Sequence, residues 1–326
     1  MIIKLKRVVI FEAIVILILI AALIISYSAS IKIEKQRTNG LLSQRIYAGL
    51  IEPKSFMITN FLPLKQDIRD YITKNNLNIS VYVENLRNGV FMGINEKTGF
   101  FPISLSKLPV AILIMRKIEN KELSFDSMIQ INDIDRKNTS GDLYKTKEQK
   151  LPVSILMEKL LQESDNTALS VLLNTLDTYD LQLIFDYYGI DIHIPNQKDE
   201  VMSSLVTTPK AMSNLIASLY FSTVLESQNS EYILSLLTRT AFDIKNAANI
   251  PDEVTIAHKY GANYHANNQF FHDCGIMYIN ETRILYCIMT KGMDDKKAIE
   301  AISLILNKIY NYVIDAKSRL EAYKKE

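Results

Sequence analysis

Polar and apolar positions change their pattern several times along this chain. From Val8 to Ile25 the run is almost unbroken apolar, close to the ~20 residues that carry a helix across a bilayer. In "PLKQDIRDYITKNN", Leu64, Ile68 and Ile72 recur at helical spacing. "ISVYVENLRNGVFMGINE" holds two β-rich runs split by Arg87-Asn88-Gly89, a hairpin signal. "SKLPVAILIMRKIENKEL" reads as a buried helix. Helix and loop patterns then run to about residue 250, as in "VSILMEKLLQES", "TALSVLLNTL" and "PKAMSNLIASLYFSTVL". β-rich runs return in "DEVTIAHKYG", "QFFHDCGIMYI" and "TRILYCIMTK". A last amphipathic helix starts at Asp295, with Ile299, Ile302, Ile305, Ile309 and Val313 on or near one face.

That order predicts an α+β fold: an antiparallel five-stranded sheet with N- and C-terminal helices packed on it. An all-α subdomain, about 110–250, is inserted, and the crevice between the two parts is where a site is expected. The chain divides into a membrane anchor at 1–30 (a transmembrane helix over about 8–28), a stalk at 31–63, and a folded domain at 64–326. The apolar run is longer than the ~7–15 residues of a cleaved signal, but Ser28-Ala29-Ser30 leaves cleavage open. Lys4, Lys6 and Arg7 precede the span, while Lys32, Lys35 and Arg37 follow it, so charge bias is weak evidence of orientation. The expectation is a single-pass protein of the cell membrane with its domain on the extracytoplasmic side.

Composition adds limits. With 326 residues, 48% hydrophobic and 22% charged, the chain is globular rather than disordered. The formal net charge is +1; Lys4, Lys6 and Arg7 against Glu12 contribute +2, which leaves −1 for the remainder. Nothing suggests a nucleic-acid footprint. Cys274 and Cys287 lie on either side of a turn at Asn280-Glu281 and face each other across the strands. They are able to pair in an oxidising compartment; two buried free thiols is the favoured alternative.

The candidate chemistry starts at "FPISLSKLPVAIL". Ser104 and Lys107 form a Ser-x-x-Lys whose members share a helix face. A serine at a helix start is favoured as an alkoxide by the dipole, and a buried lysine there has reason to lose its proton. The plain alternative is a capping serine and a solvated lysine. Two further stretches shift the balance: "LLQESDNTALSVLL", with Ser164-Asp165-Asn166, and "TIAHKYGANY", with Lys259-Tyr260-Gly261.

Ser-x-x-Lys, Ser-Asp-Asn and a Lys-x-Gly strand, in this order, resemble the class A β-lactamase and penicillin-binding superfamily of serine acyl-transfer enzymes. "SLSKLP", "ESDNTA" and "TTPKAM" (Thr207 to Met212) add to the resemblance, which covers roughly residues 65–325. It implies Ser104 as the acylated nucleophile, with Lys107 its base directly or through Ser164. Ser164 would relay a proton to the leaving nitrogen. Asn166 would donate to the substrate amide and to Lys107, while Asp165 holds the turn. Lys259 would supply positive potential for a substrate carboxylate. Gly261 would leave room for substrate along the strand edge, and the N–H groups of Ser104 and Ala262 would form an oxyanion hole.

The chain departs from the pattern in two places. Tyr260 stands where the family has Thr or Ser, so its hydroxyl lies farther from the backbone and the carboxylate pocket must be reshaped. The loop between "YYGI" and "TTP" reads "DIHIPNQKDEVMSSLV", without the Glu-x-x-Leu-Asn that carries the deacylating base of class A β-lactamases. Asp199 and Glu200, the carboxylates near its end, read as solvated charges, with a deacylating base as the alternative. His258, His265 and His272 match no metal donor set; His258 is expected to flank the cleft beside Lys259. No metal, cofactor or nucleic acid is expected as a partner. The function expected is a membrane-anchored serine hydrolase cleaving β-lactam or D-Ala-D-Ala-type amides through acyl-Ser104, with deacylation in doubt. The alternative is a non-hydrolytic module that binds penicillin or cell-wall peptide.

Overall fold

A computed structural model of the chain describes residues 15–16, 19–23, 60–190, 205–263 and 269–323. Helix α1 (Leu62–Lys74) begins with a proline in its first turn and buries Leu64, Ile68 and Ile72, the stripe that the spacing predicts. Strands β1 (Ile79–Asn85) and β2 (Phe91–Ile94) form the expected hairpin. Its turn needs Gly89, whose φ is +75°. A 3-10 turn (Ile103–Ser106) leads into α2 (Lys107–Glu119). Every residue from Lys107 to Met115 is buried, so α2 is the central rod of the helical part rather than a surface helix.

Between α2 and the return to the sheet come β3 (Met128–Gln130), β4 (Lys150–Pro152), α3 (Val153–Leu161), α4 (Asn166–Leu173), α5 (Thr178–Tyr187), α6 (Pro209–Tyr220), α7 (Ser227–Leu237) and the single turn α8 (Ile244–Ala247). The inserted part is therefore not all-α as expected: β3 and β4 pair antiparallel within it. Strands of three residues are too short to show an alternating pattern. The chain then returns to the sheet with β5 (Thr255–Asn263), β6 (Phe270–Ile279) and β7 (Thr282–Thr290). It ends in α9 (Asp295–Tyr323).

The sheet order is β2-β1-β7-β6-β5, with every neighbouring pair antiparallel. α9 buries Ala298, Ile302, Ile305 and Ile309, and the Lys308 ammonium meets the Asp67 carboxylate of α1 at 2.8 Å. β5 is an edge strand, so half of its backbone groups face away from the sheet. This edge borders the helical part and positions the candidate site.

A second expectation is corrected. Cys274 and Cys287 pair across β6 and β7 and are joined by a disulfide, not held as free thiols. Their register was legible; bonding depends on redox environment, which composition does not encode. Among the described residues no helix is long and apolar enough to cross a membrane. Val15–Ile16 and Leu19–Leu23 are helical; the remainder of the expected 8–28 span lies outside the described residues. So do Asp199 and Glu200.

Candidate active site

Ser104 sits half-buried in the 3-10 turn, one turn before the body of α2. The residue before it, Ile103, has φ +51°, a left-handed conformation that a β-branched side chain adopts only under constraint. The constraints are visible. Phe100 exchanges backbone hydrogen bonds with Thr207, at 2.7 and 2.8 Å. The Ser106 hydroxyl donates back to the Ile103 carbonyl at 2.6 Å. His272 Nε2 lies 2.9 Å from the Phe101 carbonyl, while its Nδ1 accepts the Thr290 N–H at 3.2 Å. Since Nδ1 accepts, the ring proton is on Nε2 and is donated to Phe101. Burial pushes the His272 pKa down to about 4, so the ring stays neutral.

Lys107 is buried, and its Nζ meets three oxygens: the Ser104 hydroxyl at 3.1 Å, the Ser164 hydroxyl at 3.0 Å and the Ser164 carbonyl at 2.6 Å. The carbonyl is aimed at Lys107 because Ser164 is itself left-handed, with φ +56°. Burial holds the Lys107 pKa well below the usual lysine range; the charge of Lys259 adds to this and that of Asp165 opposes it. The arrangement suits both protonation states. An ammonium donates to all three oxygens. A neutral amine donates to the carbonyl and to Ser164, and its lone pair faces the Ser104 O–H.

Asp165 holds the turn, as expected. Its carboxylate accepts the Ala168 and Leu143 N–H groups, each at 2.8 Å, which caps α4 and ties down the preceding loop. Asn166 differs from expectation: its Nδ2 donates to the Thr139 hydroxyl at 2.7 Å rather than to Lys107.

On the opposite wall, Gly261 has a structural reason beside the one expected. A Cβ there would lie 3.1 Å from the Ser104 nitrogen and 3.2 Å from the Ile103 Cβ, so glycine makes room for the Ser104 turn itself. Ala262 follows, half-buried, on the same strand. Lys259 is fully buried. Its Nζ donates to the Tyr260 carbonyl at 3.0 Å and lies 4.6 Å from the Tyr260 ring centre. Burial lowers its pKa to about 7, against the opposing pull of Asp273. The Tyr260 ring packs on Phe242 and Phe271, with centroids at 5.4 and 6.2 Å.

His258 does flank this wall, but as part of a buried chain. Its Nδ1 lies 2.8 Å from the Asp273 carboxylate and its Nε2 2.6 Å from the Thr240 hydroxyl; Tyr286 donates to Asp273 at 2.6 Å. The Ala241 N–H bonds the Gln162 carbonyl at 2.8 Å. Segment 240–242 thus bridges the C-terminal end of α3 and β5. Sequence reasoning missed Thr139, Thr240, Phe242 and the anchoring role of His272; none stands in a local pattern that marks it. Among the described residues no cluster of His, Cys, Asp or Glu is suited to a metal ion.

Comparison with known proteins agrees with this architecture. No curated protein matches the chain. Among solved structures it is similar to a beta-lactamase from Chitinophaga pinensis (TM-score 0.68, 18% identity, 77% of this chain and 99% of that one). It is also similar to PBP-A (0.70, 18%, 78% and 97%) and to the TLA-3 extended-spectrum beta-lactamase (0.70, 18%, 78% and 100%). At such identity the likeness fixes the fold. The description "Beta-lactamase enzyme family" matches residues 63–313, so this chain belongs to that family, within the class A β-lactamase and penicillin-binding superfamily.

Proposed function

We propose that the protein is a membrane-anchored, extracytoplasmic serine acyl-transfer enzyme that forms an acyl-Ser104 intermediate from β-lactam or D-Ala-D-Ala-type amides. The observation that carries the reading is Lys107 Nζ within hydrogen-bond reach of both the Ser104 and Ser164 hydroxyls. Ser104 Oγ attacks the carbonyl carbon as its proton passes to neutral Lys107. The proton then moves through Ser164 to the leaving nitrogen, the C–N bond breaks, and the acyl group stays on Ser104. The Ser104 and Ala262 N–H groups are the candidate oxyanion donors, and the loss of one such donor costs ~3 kcal/mol of transition-state stabilisation. The apolar run Val8–Ile25 and the Cys274–Cys287 disulfide support an anchored domain in an oxidising compartment.

Deacylation is the slow step in this reading, because the 191–206 stretch lacks the family's Glu-x-x-Leu-Asn. A solved acyl-enzyme complex of a PBP-A variant with penicillin G is a precedent for such a trapped state in this fold. The second reading, capture without turnover, is favoured by the sequestered Lys259 and by Asn166 bonded to Thr139. The test is a fluorescent penicillin incubated with the full-length protein and with Ser104→Ala, followed by mapping and chase of the label. A stable label on Ser104 supports acyl transfer with slow release. Equal labelling of Ser104→Ala, or none in the wild type, overturns acyl transfer.

A further inference from the structure

β5 meets the Ser104 turn at Gly261. A strand rises about 3.3 Å per residue, so the leaving side of an acyl donor that runs back along this edge comes against Tyr260 first and Lys259 next. In a penicillin or a terminal D-alanine, that leaving side of the amide carries a free carboxylate. The cation positioned to meet it is Lys259, and Lys259 is not presented. Its side chain has no exposed surface, its Nζ is bonded to the Tyr260 carbonyl, and the Tyr260 ring lies over it at 4.6 Å. Phe242 and Phe271 hold that ring. Lys107 is engaged with Ser104 and Ser164. Behind the strand, Asp273 adds a buried carboxylate shared by His258 and Tyr286.

We propose that Tyr260 roofs Lys259 and sets the specificity of the site, so that a free carboxylate on the leaving side of an acyl donor goes unread, and donors whose leaving side is neutral, with an apolar or aromatic group against the Tyr260 ring, are accepted equally well. This refines the acyl-transfer reading above and rests on it. The position that elsewhere in the family carries a small hydroxyl residue here carries a ring that replaces ion pairing with stacking. Tyr260 is a specificity determinant; it takes no proton in the reaction.

The test measures second-order acylation of the full-length protein by a fluorescent penicillin and by its methyl ester, each normalised to that reagent's rate with hydroxide and mapped to Ser104. Wild type and Tyr260→Phe are expected to treat acid and ester alike, within about 3-fold, whereas Tyr260→Thr, which uncovers Lys259, should favour the acid by about 10-fold or more. A wild type that prefers the acid by about 10-fold overturns the proposal while leaving acyl transfer intact, because Lys259 would then be reading the carboxylate. If neither reagent labels Ser104 in wild type, acyl transfer itself fails and the proposal falls with it. Should Tyr260→Thr lose its cooperative thermal transition, the acid-to-ester ratio of wild type and Tyr260→Phe decides alone.

Discussion

Two buried lysines face each other across this site, and they are not equivalent. Lys107 rises from α2 and ends among two hydroxyls and a carbonyl. Lys259 lies on the edge strand and ends on its neighbour's carbonyl under an aromatic ring. Burial depresses the pKa of both. In the function proposed above, partners divide their roles: the amine beside a hydroxyl serves as a base, whereas the one beneath a tyrosine is a charge withheld. Desolvation alone does not make a lysine catalytic.

The largest way to break the contrast is to remove what Lys107 serves. Ser104→Ala should abolish covalent labelling, a loss of about 10⁴-fold or more, read by mass spectrometry of the intact protein. Lys107→Met keeps the buried volume but deletes the base, and should slow acylation by about 10²–10⁴-fold. Its wild-type counterpart in pH is a rate that reaches its plateau well below the pH at which an ordinary lysine loses its proton, and falls as acid protonates Lys107. A rate that instead climbed only near pH 10 would leave Lys107 an ordinary lysine.

Smaller effects test the scaffold. Cys274→Ser with Cys287→Ser removes a cross-link spanning 13 residues and should cost about 2–4 kcal/mol in denaturant unfolding. His272→Leu leaves the Phe101 carbonyl unpaired and should cost ~1–3 kcal/mol. Acylation should slow more than stability alone explains, and His272→Gln should restore part of it. The pH dependence of melting sharpens the comparison at least cost. Lys259 has a folded pKa of about 7 against an unfolded 10.5, so between these values the unfolded chain binds more protons and stability rises with pH. Lys107 acts in the same direction. His272, at about 4 against 6.5, adds a rise over that lower window. Tyr188, Tyr232 and Tyr278, each raised to about 12 from 10.0, reverse the slope above pH 10. Melting temperature should therefore peak near pH 10, and Lys259→Met should flatten the rise above pH 7.

Much of the fold was legible because its signals are local. The stripe Leu64, Ile68 and Ile72, the turn at Asn88-Gly89 and the return at Asn280 each rest on a few neighbouring residues. The pair β3–β4 was not, since three residues hold no alternation. At the site, Ser104 and Lys107 were legible as a helical i, i+3 pair. Ser164, 57 residues from Lys107, was reached only through the resemblance. Side-chain direction was the part withheld: Asn166 turning to Thr139, Gly261 yielding to the Ser104 turn, and Tyr260 folding over Lys259 are all decided by distant packing.

The backbone at Ile103 has a consequence for laboratory selection. Its left-handed φ stores of order 1–3 kcal/mol, held against relaxation by Ser106, His272 and the Phe100–Thr207 bridge. A library screened only for heat resistance would reward Gly or Asn at position 103, since either accepts that conformation at lower cost. A library screened for acylation rate would reward whatever keeps the Ser104 hydroxyl aimed at Lys107. The two screens would part at this residue, so the sequence that melts last is not the one that reacts first.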